Sequence, residues 1–334
     1  MIGLLRNRYL SRDWVGEWYK ILKSRGENDM ISFVRGHRNP NGTIEDREMH
    51  SFSHSVMDGT SAIPFYMTKF GEKTLPRSTD FKKKLSFFQI LKLTLANLTI
   101  RPVNNTIWKV NNGKKIEDIN SFARFALSRE ETLNFKKYCK EKKLSENAVL
   151  MEILNPLFFE LIENNSDTQT WLFPVNMRGI TNKRDPFENH SSFVPINVNK
   201  DTKADQIHSQ MREKLKSLNY IGIWWVHHIG ILLGLKRMSK LSYKSSLRNF
   251  WLGSFSNVGE WNTDNTKFQS ISDEESWFFA TPGSKNFPIS MVTLTFNGIL
   301  CWSLRIHPAI TEDSLKVSNE ILLKLKERVI SLNP

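Results

Sequence analysis

The segment Ser53-His54-Ser55-Val56-Met57-Asp58-Gly59 holds the residues best suited to chemistry. Met49 to His54 reads as a strand, and Ser61 to Phe70 reads as a helix, which places the imidazole at a strand-to-turn junction. Such a junction can fix one ring nitrogen and leave the other free, as a general base working near neutral pH requires. Asp58, four residues on, could orient His54 directly or anchor the loop through a cation. Gly59 would permit a sharp turn. On these seven residues alone, a structural histidine beside an ordinary Asp-Gly turn is the commoner reading.

The elements that must position His54 follow from periodicity. Trp14 to Leu22 has helical spacing, Met30 to Val34 reads as a strand, and Asn39-Pro40-Asn41-Gly42 is a turn signal. Lys82 to Leu98 is apolar at helical spacing behind a lysine run. Asn104 to Asn120 is polar and reads as a linker between domains. Ser128 with Glu131 forms a capping box, and Ser145 is an N-cap for a helix running to Glu163. Thr170 to Val175, Ser192 to Val198 and Phe250 to Ser256 read as strands, with a helix over Lys203 to Leu218. Asn297-Gly298 joins Ser290–Phe296 to Ile299–Ile306 as a hairpin. A helix over Thr311 to Leu332, entered through Thr311, Glu312 and Asp313, closes the chain. Alternating strands and helices give an α/β reading.

With these elements in order, His54-x-x-x-Asp58-Gly59 resembles the HxxxDG motif of the chloramphenicol acetyltransferase-like superfamily. That group includes condensation domains of nonribosomal peptide synthetases and wax ester synthase/diacylglycerol acyltransferases. Four further segments are similar to elements of the wax ester synthase-like members, and they come in the family's order. They are Leu144 to Leu150, Phe173-Pro174-Val175-Asn176-Met177-Arg178-Gly179, Asn189 to Pro195, and Ser256-Asn257-Val258-Gly259. The resemblance runs from about Met49 to the end of the chain. It implies α/β (α+β layers) architecture in two half-domains with mixed sheets, over residues 1–120 and 121–334. Only 53 residues precede His54, far fewer than the family carries before its motif, so the first half-domain is expected to be incomplete. Relatives often have a second histidine just before the catalytic one, and Ser53 stands in that place.

Roles then follow from the resemblance residue by residue. His54 would be the general base and Asp58 would pair with Arg178 to hold the loop. Gly59 would make the turn, and Asn189 would tie down the strand after Arg178. Ser256 and Asn257 fall where the family places polar groups near the reacting atoms. Ser256 would be an oxyanion donor, or would simply hydrogen-bond within its strand. The implied reaction moves an acyl group from acyl-CoA, a co-substrate, to a hydroxyl acceptor, expected to be a long-chain alcohol or acylglycerol. No permanently bound cofactor and no metal are expected. The alternative is an inactive, shortened relative that binds a lipid or another partner without turning it over.

Composition narrows the rest. Of 334 residues, 40% are hydrophobic and 24% charged, which excludes a disordered chain and suggests two domains. The two cysteines, Cys139 and Cys301, are too few for a disulfide framework or a Cys-rich zinc site, and a reducing, cytoplasmic location fits them. The net charge of +13 favours anionic partners, with peripheral contact on a membrane surface among the expectations. Nucleic acid is not expected, because no recognition motif accompanies the charge. Ile221 to Leu235 is shorter than the ~20 residues of a bilayer span and carries His227 and His228. It reads as a buried helix, or as one that touches a membrane or lines a lipid site. Arg35, His37 and Arg38 could meet a phosphorylated cofactor, though a basic turn is the simpler account.

Overall fold

A computed structural model describes residues 13–39, 43–69, 71, 74–81, 85–110, 121–180, 185–263, 275–311 and 313–332. The Pro40-Asn41-Gly42 part of the predicted turn, the lysine run Lys82 to Lys84, residues 111–120 of the predicted linker and Glu312 lie outside them.

Nine strands and ten helices are described, arranged around two sheets. In chain order they are α1 (Trp14–Lys23), β1 (Met30–Arg38), β2 (Ile44–Ser53), α2 (Gly59–Lys69), α3 (Phe87–Ala96), β3 (Ala123–Ala126), α4 (Arg129–Glu141) and α5 (Glu146–Phe159). There follow β4 (Gln169–Asn176), β5 (Ser191–Val198), α6 (Ala204–Lys216), α7 (Asn219–His227), α8 (Gly230–Leu233), α9 (Leu235–Ser246), β6 (Gly253–Trp261) and β7 (Glu275–Ala280). The hairpin β8 (Ile289–Phe296) and β9 (Ile299–Ile306) precedes α10 (Ser314–Ile330). Its turn has φ of 46° at Asn297 and 80° at Gly298, the two left-handed residues that an Asn-Gly hairpin supplies at least cost. The Ser128/Glu131 capping box forms with both of its reciprocal bonds, and Ser145 and Asp313 cap α5 and α10.

One sheet is three-stranded, ordered β2-β1-β7, and the other six-stranded, ordered β3-β9-β8-β6-β4-β5. β6 runs parallel to β4 and β8, and the other pairs are antiparallel. Both sheets carry helices, so the α/β architecture with a mixed sheet is as expected. The division at residue 120 does not separate the sheets: β7, from the second half of the chain, pairs with β1 from Ser32↔Ala280 to His37↔Glu275. The linker reading also needs correction. Thr106 N–H donates to the Phe250 carbonyl at 3.0 Å, and Trp108 is buried and bridges to Ile162. The described part of that polar stretch is therefore fastened to the six-stranded half.

The two faces of the large sheet differ. Trp171, Val194, Ile196, Phe255, Met291, Trp302 and Leu304 point to the main core under α4, α5, α6 and α10. On the opposite face, Val292 and Leu294 pack with Ile31, Phe33, Trp277 and Phe279 of the small sheet. Arg305 joins the two sheets by donating to the carbonyls of Met30 and Thr281 and to Ser32 Oγ at 3.2, 3.2 and 2.8 Å. Arg35 pairs with Glu275 at 2.8 Å, and buried Arg38 donates to the Ala126 carbonyl at 3.1 Å. These bonds account for the two arginines structurally, which removes the reason to assign them to a phosphorylated cofactor. Among the described residues, no helix is long and apolar enough to cross a membrane. Ile221 to Leu235 instead breaks into α7, α8 and the start of α9.

Candidate active site

β2 delivers His54 one residue past its end. The turn closes through Val56 N–H to the Ser53 carbonyl at 3.0 Å, and His54 N–H donates to the Asp29 carbonyl at 2.7 Å. Ser53, where relatives carry a second histidine, donates to the Asp29 carboxylate and so fastens the loop. His54 is 8% exposed. Its Nδ1 lies 3.1 Å from the Met57 carbonyl oxygen, and its own backbone carbonyl also interacts with the ring. Two carbonyl acceptors favour a proton on Nδ1, which leaves Nε2 as the basic nitrogen. No hydrogen bond to Nε2 is seen among the described residues, where the contacts of the ring are those of Nδ1.

The Asn189 amide fixes this loop from the other half of the chain. Its Oδ1 accepts from Ser191 N–H at 3.0 Å, which sets the orientation of the amide, and Nδ2 then donates to the His54 carbonyl at 2.9 Å. Nδ2 is also 3.1 Å from His54 Nδ1, but the carbonyl takes the shorter bond.

Asp58 faces away from the imidazole and is buried with Arg178. Arg178 Nη1 and Nη2 reach Asp58 Oδ2 and Oδ1, both at 3.0 Å, a bidentate pair. His190 N–H adds a bond to Oδ2 at 2.9 Å, and Ser61 N–H adds one to Oδ1 at 3.0 Å. The second of these caps α2. Arg178 is completed by the carbonyls of Pro186 and Glu188, both at 2.7 Å, and by Asn176 Oδ1 at 3.1 Å. Burial by itself would raise the Asp58 carboxyl, but the Arg178 charge and these hydrogen bonds overcome it and hold the pKa below its ordinary value. The cation that Asp58 needs is thus Arg178, and the pair fastens the His54 loop to β4 and β5. For His54, burial outweighs the stabilising carbonyls and the Asp58 charge and lowers the pKa from its ordinary value. The ring is therefore neutral, hence basic, at pH 7.

Gly59 begins α2 without a positive φ, and a Cβ there would make only ordinary contact with Val258 Cγ2 at 3.6 Å. The expected need for glycine in the turn is not seen, because the chain is already helical at that residue. Ser256 lies on β6 opposite Val292. The register puts it on the sheet face shared by Asn176, Ser191, Phe193 and Ser254, part of which stays half-buried rather than packed. Asn257 goes to the other face. It is exposed and donates to Asn147 Oδ1 at 2.8 Å, beside a cavity of about 420 Å³ lined by Cys139, Leu144 and Gly259. Asn257 therefore supports the contact between β6 and α5 rather than His54, since strand alternation sends neighbours to opposite faces.

Helix α1 forms where the spacing of Trp14 to Leu22 predicts it, but its contact with the site was missed. A Cβ on Gly16 would lie 2.4 Å from the Ser55 carbonyl oxygen, so glycine lets the helix rest directly on the loop. One turn later the Tyr19 ring lies 4.1 Å from the His54 ring, tilted by 38°. Burial, followed by the Asp58 charge, pushes the Tyr19 phenol above its ordinary pKa against an opposing effect of the Asn189 side chain. An isolated glycine within a helical pattern was the available signal. Among the described residues no cluster of ligating side chains could hold a metal ion, and His227 and His228 form no such group.

Comparison with family models and with curated protein sequences gives no match. Solved structures do match. A trichothecene 15-O-acetyltransferase from Fusarium sporotrichioides aligns over 97% of this chain and 75% of its own, at 12% identity and a TM-score of 0.54. The first condensation domain of the calcium-dependent antibiotic synthetase, in complex with a substrate analogue, aligns over 86% and 67%, at 12% identity and 0.50. A wax ester synthase/diacylglycerol acyltransferase from Marinobacter aquaeolei VT8 aligns over 84% and 67%, at 12% identity and 0.46, too loosely to favour that branch. The fold is the chloramphenicol acetyltransferase-like fold of the condensation and acyltransferase proteins.

Proposed function

We propose that this chain is an O-acyltransferase that moves an acyl group from acyl-CoA to a hydroxyl acceptor, with His54 as general base. The observation that carries the reading is the His54 loop: Nδ1 held by a carbonyl, Nε2 without a hydrogen bond among the described residues, and the turn clamped from behind by the buried Asp58–Arg178 pair.

In this mechanism Nε2 removes the acceptor hydroxyl proton as the oxygen attacks the thioester carbonyl. The tetrahedral oxyanion forms, and Ser256 Oγ–H donates to it. Collapse breaks the C–S bond, the ester leaves, and the departing thiolate takes the proton back from Nε2. Nδ1–H stays on the Met57 carbonyl throughout, so the ring keeps one orientation in both charge states. No acyl-enzyme is formed. A long-chain alcohol or acylglycerol acceptor is proposed from the sequence motifs and from the apolar residues beside the half-buried strip, Phe193 and Trp251, whose rings lie 6.1 Å apart.

The test is release of free CoA from a panel of acyl-CoA donors and hydroxyl acceptors. His54→Ala is expected to reduce turnover by about 10²–10⁴-fold with the fold intact by circular dichroism. Turnover unchanged in that variant would remove His54 from the mechanism. Absence of turnover with every donor, together with retained ligand binding, would support the non-enzymatic reading.

A further inference from the structure

Helix α3 is inside out. Its sequence, Phe-Phe-Gln-Ile-Leu-Lys-Leu-Thr-Leu-Ala, is strongly apolar, yet none of its residues is buried. Phe87 and Phe88 are 72% and 78% exposed, and Leu91, Leu95 and Leu98 are exposed with them. At a helical advance of about 100° per residue the four within α3, Phe87, Phe88, Leu91 and Leu95, fall within one arc of ~100°, with exposed Lys92 at its margin and Leu98 in the turn that follows. The opposite side carries Leu93 and Asn97, and it docks on α7, where a Cβ on Gly222 would lie 2.2 Å from the Leu93 carbonyl oxygen. That close seat and the complete Ser86/Gln89 capping box fix α3 with its apolar strip outward.

Charge identifies what the strip meets. Residues 85–110 contain no Asp or Glu, and neither do residues 217–256, which hold α7, α8 and α9. Both stretches do carry exposed cations: Lys92, Arg101, Lys236, Arg237, Lys240 and Lys244. Two segments far apart in sequence, packed together through α3 and α7, thus combine an apolar strip with cations and no carboxylate. A second copy of this chain would present the same positive charge and repel it. An anionic lipid surface offers both complements, an apolar interior for the phenylalanines and negative headgroups for the lysines.

We propose that this face is a membrane-docking surface: α3 lies in the interface of an anionic bilayer with Phe87, Phe88, Leu91, Leu95 and Leu98 in the acyl region, Lys92 at the headgroups beside it, and the cations of the two acid-free stretches supplying the attraction to the anionic surface. The proposal does not rest on turnover, and the two tests therefore fail separately.

Purified protein without substrate is sedimented with vesicles of phosphatidylcholine alone and of phosphatidylcholine mixed with phosphatidylserine. Binding to the mixed vesicles is expected, weakening as salt is raised. Phe87→Ser together with Phe88→Ser should lower the partition coefficient about tenfold or more. Leu133→Ser, an equally apolar exposed position on α4, should leave it unchanged. Lys236→Glu with Lys240→Glu should weaken binding to the anionic vesicles alone. Because all these side chains are exposed, thermal melts of the variants should match the parent protein. Failure to bind either vesicle would overturn the proposal, as would equal binding by the phenylalanine variant. So would a concentration-dependent dimer, formed without vesicles, that the phenylalanine variant abolishes.

Discussion

Tyr19 covers one face of the His54 ring, and that contact keeps water from the imidazole as much as it orients it. Burial is the main reason the His54 pKa is lowered, so the ring stays neutral, and basic, below pH 6.5. The acid limb of kcat/KM is expected below 6.5. Tyr19→Ala should readmit water and move that limb upward toward 6.5, whereas Tyr19→Phe keeps the ring and should leave it in place. A limb that does not move in Tyr19→Ala would show that Tyr19 does not tune the base. The same shift has a stability consequence: the unfolded chain binds the His54 proton more tightly, so acidification through 6.5 favours unfolding. Asp58 works in the same sense of pH, in a more acidic range. Its pKa is depressed in the folded state, so its contribution is present above the ordinary carboxylate range and is lost as pH falls through the folded value. Asp58→Asn leaves the Arg178 guanidinium buried and uncompensated, and should cost about 3–5 kcal/mol in urea unfolding. Adding Arg178→Met should recover part of that loss, and full additivity of the two would argue against a coupled pair.

At the scale of elements, the readable parts were those with a local cause. The His54 turn, the Ser128 and Ser145 caps and the Asn297-Gly298 hairpin are written in a few adjacent residues, and each formed. β3 and β7 were missed because their cause is tertiary. β7 is Glu-Ser-Trp-Phe-Phe-Ala, buried at every position, so it shows no alternation that would mark a strand with one wet face. β3 has only four residues and exists because β9 offers an edge. Of the site, Asp58 and Arg178 met as the motif order implied, and Asn189 joined them. Asn257 did not, because strand alternation separates it from Ser256. Gly16 and Tyr19 were invisible because nothing local says that α1 rests on the His54 loop, which lies 35 residues beyond Tyr19 in the chain.

For the whole molecule, β7 is the joint. Trp277 stacks on Phe296 of β8 with ring centroids 4.2 Å apart and 8° between planes, and it meets Phe33 of β1 edge-on at 5.1 Å. One side chain therefore touches both sheets. Trp277→Ala should cost about 3–5 kcal/mol and lower a single unfolding transition seen alike by fluorescence and far-ultraviolet circular dichroism. Two separated transitions in the parent protein would contradict this coupling. The interleaving also bears on how such a chain can change over generations. A single recombination breakpoint between residues 110 and 121 would graft foreign β1 and β2 strands onto a native β7, placing untested partners against Ala280, Phe279 and Phe278. Shuffling between relatives therefore demands two breakpoints, one on each side of β7, or compensating drift in β1. The halves are inherited as a pair.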